Sequence, residues 1–341
     1  MRRRRFALLL VGTAVAAALA VWSVTQPSVG ASAAGPINIT AARILNFRIA
    51  DTQTRFGKLE FVGGLQLESN EHGFGGFSGF RFLRDREHFI AISDRCTALT
   101  GVLVRDVTGS PDNIASAAMQ PLPIDAPTRL EAWGGWSDCE AVATAGGQVH
   151  VAFEGSGWIG SFSVDAAGQL SAFRRFSPEK LRQKFKRNKG IESLAAFPAG
   201  SQFAGGFLTI AEDTPDASGN HQAFIVGPAG IAGLHISRTD DFSVTDADFL
   251  PDGDLVILER RFGFKLKTAM RIRRFPLGEV RPGAVLAGEV LMEADTAYRI
   301  DNMEGIAAAQ DGEGRTTLTL ISDDNFNFLQ SNLLLEFRLV E

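Results

Sequence analysis

The stretch Asn302-Met303-Glu304-Gly305-Ile306-Ala307 decides the fold, because the chain repeats it. The pattern of an acid, a small residue and an apolar residue returns at Asp138-Cys139-Glu140-Ala141-Val142-Ala143. It returns again at Lys189-Gly190-Ile191-Glu192-Ser193-Leu194-Ala195. Weaker copies are Thr245-Asp246-Ala247-Asp248-Phe249-Leu250 and Gly76-Phe77-Ser78-Gly79-Phe80. Aligned on positions 78, 140, 192, 248 and 304, the copies are spaced 62, 52, 56 and 56 residues apart. A period of that length marks a stacked or ring-closed repeat.

Each copy is followed by a second apolar run that ends in charge. These ends are Ser93-Asp94-Arg95, Phe153-Glu154, Glu212-Asp213, Glu259-Arg260 and Ser322-Asp323-Asp324-Asn325. The runs are short, rich in Phe and β-branched residues, and bounded by Gly, Pro, Asp and Asn, which reads as strands and turns. Two more such runs follow in most repeats. The expected fold is therefore all-β: a β-propeller of four-stranded blades. Five blades are legible, and residues 44–49 leave room for a sixth. The last repeat has only three strands before Glu341, so an amino-terminal strand at 58–67 is expected to complete it and close the ring.

Composition narrows the function. The 341 residues carry 34 basic and 39 acidic side chains, a formal charge of −5. Arg2 to Arg5 are the only charged residues before position 34, so the rest holds 30 basic against 39 acidic residues, a net −9. An acidic chain without a basic stripe is a poor partner for phosphate backbones, which excludes nucleic acid. Two cysteines exclude a four-cysteine zinc site. Those four arginines, an apolar run at 6–24 and the small-residue site Ala31-Ser32-Ala33 form an export signal. Residues 1–33 are expected to be that signal, of Tat or Sec type, with an uncleaved anchor as the alternative. The mature domain, 34–341, is expected to be a periplasmic or secreted monomer free of the membrane.

In a propeller the first strand of each blade lines the channel and the second runs antiparallel to it. The start of the first and the end of the second then share one rim. Glu140, Glu192 and Glu304, with Asp323, Asp324 and Asn325, are thereby expected to gather at one mouth. Such an all-oxygen donor set suits calcium better than zinc. Arg95, Lys189 and Arg260 are expected there too, as binders of a small anionic substrate or ligand. Asp94 and His72, which precedes the Phe74-Gly75-Gly76-Phe77 entry to the first blade, are the candidate catalytic groups. Cys96 and Cys139 fall on adjacent blades at the same end. A disulfide between them is expected, a free buried pair being the alternative.

Several of these segments together resemble the phytase-like family ("esterase-like activity of phytase"), which contains exported bacterial proteins. They are Phe74-Gly75-Gly76-Phe77-Ser78-Gly79, Ile92-Ser93-Asp94-Arg95, Asn188-Lys189-Gly190-Ile191-Glu192-Ser193-Leu194-Ala195, Asn302-Met303-Glu304-Gly305-Ile306 and Ser322-Asp323-Asp324-Asn325-Phe326. The resemblance runs in order from about Leu59 to Leu339 and implies a phosphoester hydrolase. The Asp-Ala-Ala-Asp-Asp-Pro signature of the calcium-dependent alkaline propeller phytases has no copy here. Three readings follow: a calcium-dependent phosphoesterase or esterase, a non-catalytic ligand-binding or partner-binding propeller with structural calcium, and a lactone hydrolase.

Overall fold

The computed structural model describes residues 35–124, 138–153, 157–175, 190–261 and 268–340. Among them the regular structure is strand, apart from one 3-10 turn at Leu277–Glu279. The strands form five antiparallel sheets. Blade I runs inward to outward from Phe77–Phe82 through His88–Ser93 and Thr97–Arg105 to Pro111–Pro121, with Gly35–Pro36 on its outer edge. Blade II spans Cys139–Ala145 to Leu170–Arg175, and blade III spans Ile191–Ala196 to Gly230–Ile236. Val285–Leu286, from the long connection inside blade IV, pairs parallel to the outer edge of blade III. Blade IV contains Ser243–Phe249, Leu255–Arg261, Ala269–Phe275 and Glu289–Asp295.

Blade V is built from both ends of the described chain. Asn302–Gln310, Thr316–Asp323 and Asn332–Leu339 come from the carboxy-terminal side. Leu59–Glu68 pairs antiparallel with Asn332–Leu339, within one residue of the strand expected at 58–67. The innermost strands neighbour one another in the cycle I–II–III–IV–V–I, so the ring closes with five blades. Among the described residues no sixth blade forms: Thr40–Ile44 is a further edge strand of blade V. Phe47, fully buried, stacks against Phe56, Phe61, Phe337 and Tyr298 beneath it.

The repeat follows from strand alternation. Successive side chains on an inner strand point to opposite faces. Phe80, Val142, Leu194, Ala247 and Ile306 each enter a different one of five apolar clusters, one between each pair of neighbouring blades. The alternate positions meet the opposite neighbouring blade and are mostly small: Gly79 and Gly305 lie against the inner strands of blades II and I, and Ala141 with Ala143, Ala195 and Ala307 enter the apolar cluster on the other side of their own blades. Gly305 is required there, because a Cβ would stand 2.9 Å from the Phe80 backbone nitrogen on blade I.

Three large channel positions break this rule: Arg81, Asp246 and Asp248. The Arg81 guanidinium is buried at the waist of the channel, where it donates to both Asp246 oxygens at 2.7 and 3.0 Å. It also donates to the carbonyls of Leu194 on blade III, Ala247 on blade IV and Ile306 on blade V. One side chain thus ties four blades together and fills the waist.

Tight turns finish the hairpins. Asp106, Asp165, Asp216 and Asp311 each begin a turn in which Oδ1 accepts the amides two and four residues on. The fourth residue is glycine with φ between +77° and +86°, a left-handed conformation that costs other residues strain.

Candidate functional site at the channel mouth

Each inner strand carries a β-bulge at the same place. The pairing to the second strand skips Ser78 in blade I, Glu140 in II, Glu192 in III, Thr245 in IV and Glu304 in V. A bulge inserts one unpaired residue and re-aims its side chain, and bulges favour barrel rims and functional sites. The three repeated glutamates are thus equivalent by backbone geometry as well as by sequence. In blade IV the equivalent residue is Thr245, whereas the repeat suggested Asp248. Thr245 donates instead to the Met303 carbonyl of blade V.

Blades I and V build the best-described part of this rim. Asp94 follows the second strand of blade I and is half-buried, with its amide on the Gly76 carbonyl at 2.8 Å. Its Oδ1 is buried without a hydrogen-bond partner. Burial, with Asp323 and Asp138 nearby, pushes this carboxyl up to about 7, against a smaller pull from Arg95. Asp323, at the end of the second strand of blade V, is buried and raised to about 6. Burial is the main cause and Asp324 adds to it, while the Asn325 amide, Arg260 and Asn302 pull the other way. Two neighbouring carboxyls poised near neutrality are an arrangement suited to proton transfer or to sharing a cation.

The surrounding groups are already engaged. Asp324 accepts from the Gly76 amide at 3.0 Å, the Phe326 amide at 3.1 Å and Asn332 Nδ2 at 2.9 Å. It therefore clamps the Gly75-Gly76 loop, where a Cβ on Gly75 would fall 2.4 Å from its Oδ1. Glu304 accepts from Arg260 and, at 2.8 Å, from Asn302 Nδ2. Asn325, exposed with φ of +48°, donates its amide to Asp323 at 2.6 Å. The exposed Arg95 guanidinium lies 3.5 Å over the Phe326 ring. Cys96 and Cys139 are joined as a disulfide, with a Cα–Cα distance of 5.1 Å. The Cys139 amide donates to the Asp94 carbonyl at 3.1 Å. The bridge thus ties the turn carrying Asp94 and Arg95 to the strand carrying Glu140.

Other nominated residues are less gathered. Glu192 is buried and Glu140 half-buried on their bulges, and His72 is exposed in the turn before Phe74. Lys189, Asn188 and Glu154 lie outside the described residues. Among the described residues no three His, Cys, Asp or Glu side chains stand together as a metal cage. Sequence reading missed Asp138, Arg81 and Asp246. The first was quoted only as part of a repeat, and its effect on Asp94 comes from the contact between blades I and II.

Residues 72–326 match the Phytase-like family, described as "Esterase-like activity of phytase", and the chain belongs to that family. No curated protein matches it by sequence. Among solved structures it is similar to the glutaminyl cyclase of Myxococcus xanthus, at 13% identity and TM-score 0.41 over 90% of this chain and 100% of that one. A glucose dehydrogenase matches at 10% identity and TM-score 0.40 over 81% and 98%. The Malassezia sympodialis allergen Mala s 1 matches at 12% identity and TM-score 0.36 over 88% and 95%.

Proposed function

We propose that this mouth is the active site of an exported hydrolase acting on a phosphoester or a related ester. The observation that carries the reading is Asp94, a half-buried carboxyl raised to about 7 beside Asp323, with one oxygen unpartnered. A group titrating near the working pH is best placed to give a proton to a leaving oxygen or take one from water. Asp323, raised to about 6, remains mostly ionised at pH 7 and takes the complementary role. Arg95, next in sequence to Asp94, holds the substrate's anionic group when it leaves the Phe326 face. Arg260 does so when a ligand displaces Glu304, and Lys189 and His72 are carried as further candidates for the same chemistry.

Calcium is carried as part of the proposal, with no catalytic step assigned to it. An oxygen-rich mouth suits a hard cation. A cation at Asp94 and Asp323 would offset the burial that chiefly raises both carboxyls, and the charge of their acidic neighbours that adds to it. Glu304 reaches such an ion once Arg260 releases it, and Glu140 and Glu192 are carried as further candidate ligands. The export signal and periplasmic setting stand with this reading.

A non-catalytic binding propeller is the second reading, favoured by the engagement of Glu304 with Arg260 and Asn302. The decisive experiment is turnover of an aryl phosphate and an aryl ester by the purified protein and by Asp94→Asn. Loss of turnover in a folded variant supports the hydrolase. Absence of turnover in the parent, with and without calcium, leaves the binding propeller.

A further inference from the structure

Behind the Gly75-Gly76 loop, on the outer side of Asp324, lies an open cavity of about 630 Å³ between the edge of blade V and the entry to blade I. Its lining is mostly polar: five carboxamides, three hydroxyls, the carboxylates Glu68, Glu71 and Asp324, and two apolar side chains, Leu67 and Phe74. Among the described residues no lysine, arginine or histidine lines it. Asn332 on its wall is buried, and its Nδ2 donates to Asp324 Oδ2 at 2.9 Å. A carboxylate only accepts, so this bond fixes which way the amide faces. The Asn332 Oδ1 is left an acceptor with no partner. A buried acceptor without a donor is costly and marks a place where a donor belongs.

We infer that this cavity binds an uncharged polyhydroxylated ligand, a polyol or sugar, as an accessory site beside the mouth. Each hydroxyl of such a ligand both gives and accepts a hydrogen bond. The eight amide and hydroxyl side chains of the wall offer the matching mixture, and the carboxylates accept from it. A polyanion is excluded by three carboxylates with no cation among the lining residues. An organic cation would use the carboxylates but leave the amides unmatched. Asp324 joins the two regions, holding Gly76 with one oxygen and Asn332 with the other. The assignment is independent of whether the mouth is catalytic.

The test is calorimetric titration of the full chain with neutral monosaccharides and cyclitols, with an alkylammonium salt, and with inositol hexakisphosphate. The Asn70→Trp variant is compared with the parent, because Asn70 lines the cavity from an exposed position and a tryptophan there fills it without touching the core. Saturable, salt-insensitive binding of a neutral polyol, weakened at least about tenfold by Asn70→Trp, is the expected result. Melting temperature and any mouth activity should be unchanged. Binding only of the ammonium salt, steeply weakened by added salt, would overturn the hydroxyl assignment. So would preferential binding of the hexakisphosphate, polyol affinity unaffected by Asn70→Trp, or no polyol binding at all.

Discussion

The channel waist and the channel mouth both bury carboxylates, and burial raises Asp246 to about 6 much as it raises Asp323, but the two places partner them differently. At the waist Asp246 is surrounded: two bonds from Arg81 and the amides of Ala247 and Ile306 satisfy it. Asp248 beside it accepts the Ala308 amide and lies 3.8 Å from Arg81 Nε. At the mouth Asp94 keeps a buried oxygen unpartnered, and its acidic neighbours Asp323 and Asp138 raise it further. A satisfied buried charge holds blades together. An unsatisfied one stores free energy that a proton, a cation or a substrate can release. The difference separates a structural keystone on the inner strands from a candidate reaction centre at the ends of the second strands.

The most severe way to break this comparison is at the waist. Arg81→Ala leaves Asp246 buried without its partner and should cost about 3–5 kcal/mol, read by denaturant unfolding. The double change Arg81→Met with Asp246→Leu, of similar volume and no charge, should recover much of that loss. If Arg81→Ala melts like the parent, the keystone reading is wrong.

Removing the mouth disulfide comes next. Cys96→Ser with Cys139→Ser opens a loop of separation 43 and should lower stability by about 3–4 kcal/mol in the chain-entropy model. Because the bridge anchors the Asp94 turn, turnover should fall at temperatures where the variant is still folded. Unchanged kinetics in the folded variant would detach Asp94 from the bridge.

A smaller effect of opposite sign is expected at Asp94 itself. Asp94→Asn removes a charge that the fold raises to about 7. After allowance for its partial exposure, it should stabilise the protein by about 1–2 kcal/mol at pH 8. The same change should lower kcat by at least about a hundredfold. A variant that is both less stable and equally active would remove the contrast with the waist.

The gentlest test is pH. Asp94 and Asp323 have folded-state values raised above the ordinary carboxylate range, so the native state binds their protons more tightly than the unfolded chain does. Their ionisation therefore destabilises the fold above neutrality, and melting temperature should rise as pH falls from 8 to about 6.5. Below that, the buried His221, lowered to about 4, and His150, also lowered by burial, oppose the trend because the unfolded chain takes up their protons first. In Asp94→Asn the rise between pH 8 and 6.5 should flatten. Calcium that shares Asp94 and Asp323 should raise the melting temperature most at pH 8, and chelation should reverse it. A calcium-insensitive melt would leave the two carboxyls to proton chemistry alone.

Much of the architecture was legible because it is periodic. Repeated bulge positions, alternate apolar residues and Asp-x-x-Gly turns recur locally, so strand number, blade number to within one, and closure by an amino-terminal strand could be read before any contact was known. The bulged glutamates could be found the same way. Blade IV misled the alignment for a physical reason. Its acids Asp246 and Asp248 answer Arg81, a residue 165 positions away from Asp246, and a repeat aligned on charge takes Asp248 for the rim acid that Thr245 replaces.

The sequence by itself therefore determined the ring of strands and which residue types line its mouth, since those depend on side-chain alternation and turn chemistry within a few residues. Only the tertiary structure decided which charges are satisfied. Whether a carboxylate is a clamp like Asp324, a keystone partner like Asp246 or an exposed-to-chemistry group like Asp94 depends on burial and on donors from other blades. Neither can be read from neighbours in the chain, because desolvation and long-range hydrogen bonds arise only when the ring has closed.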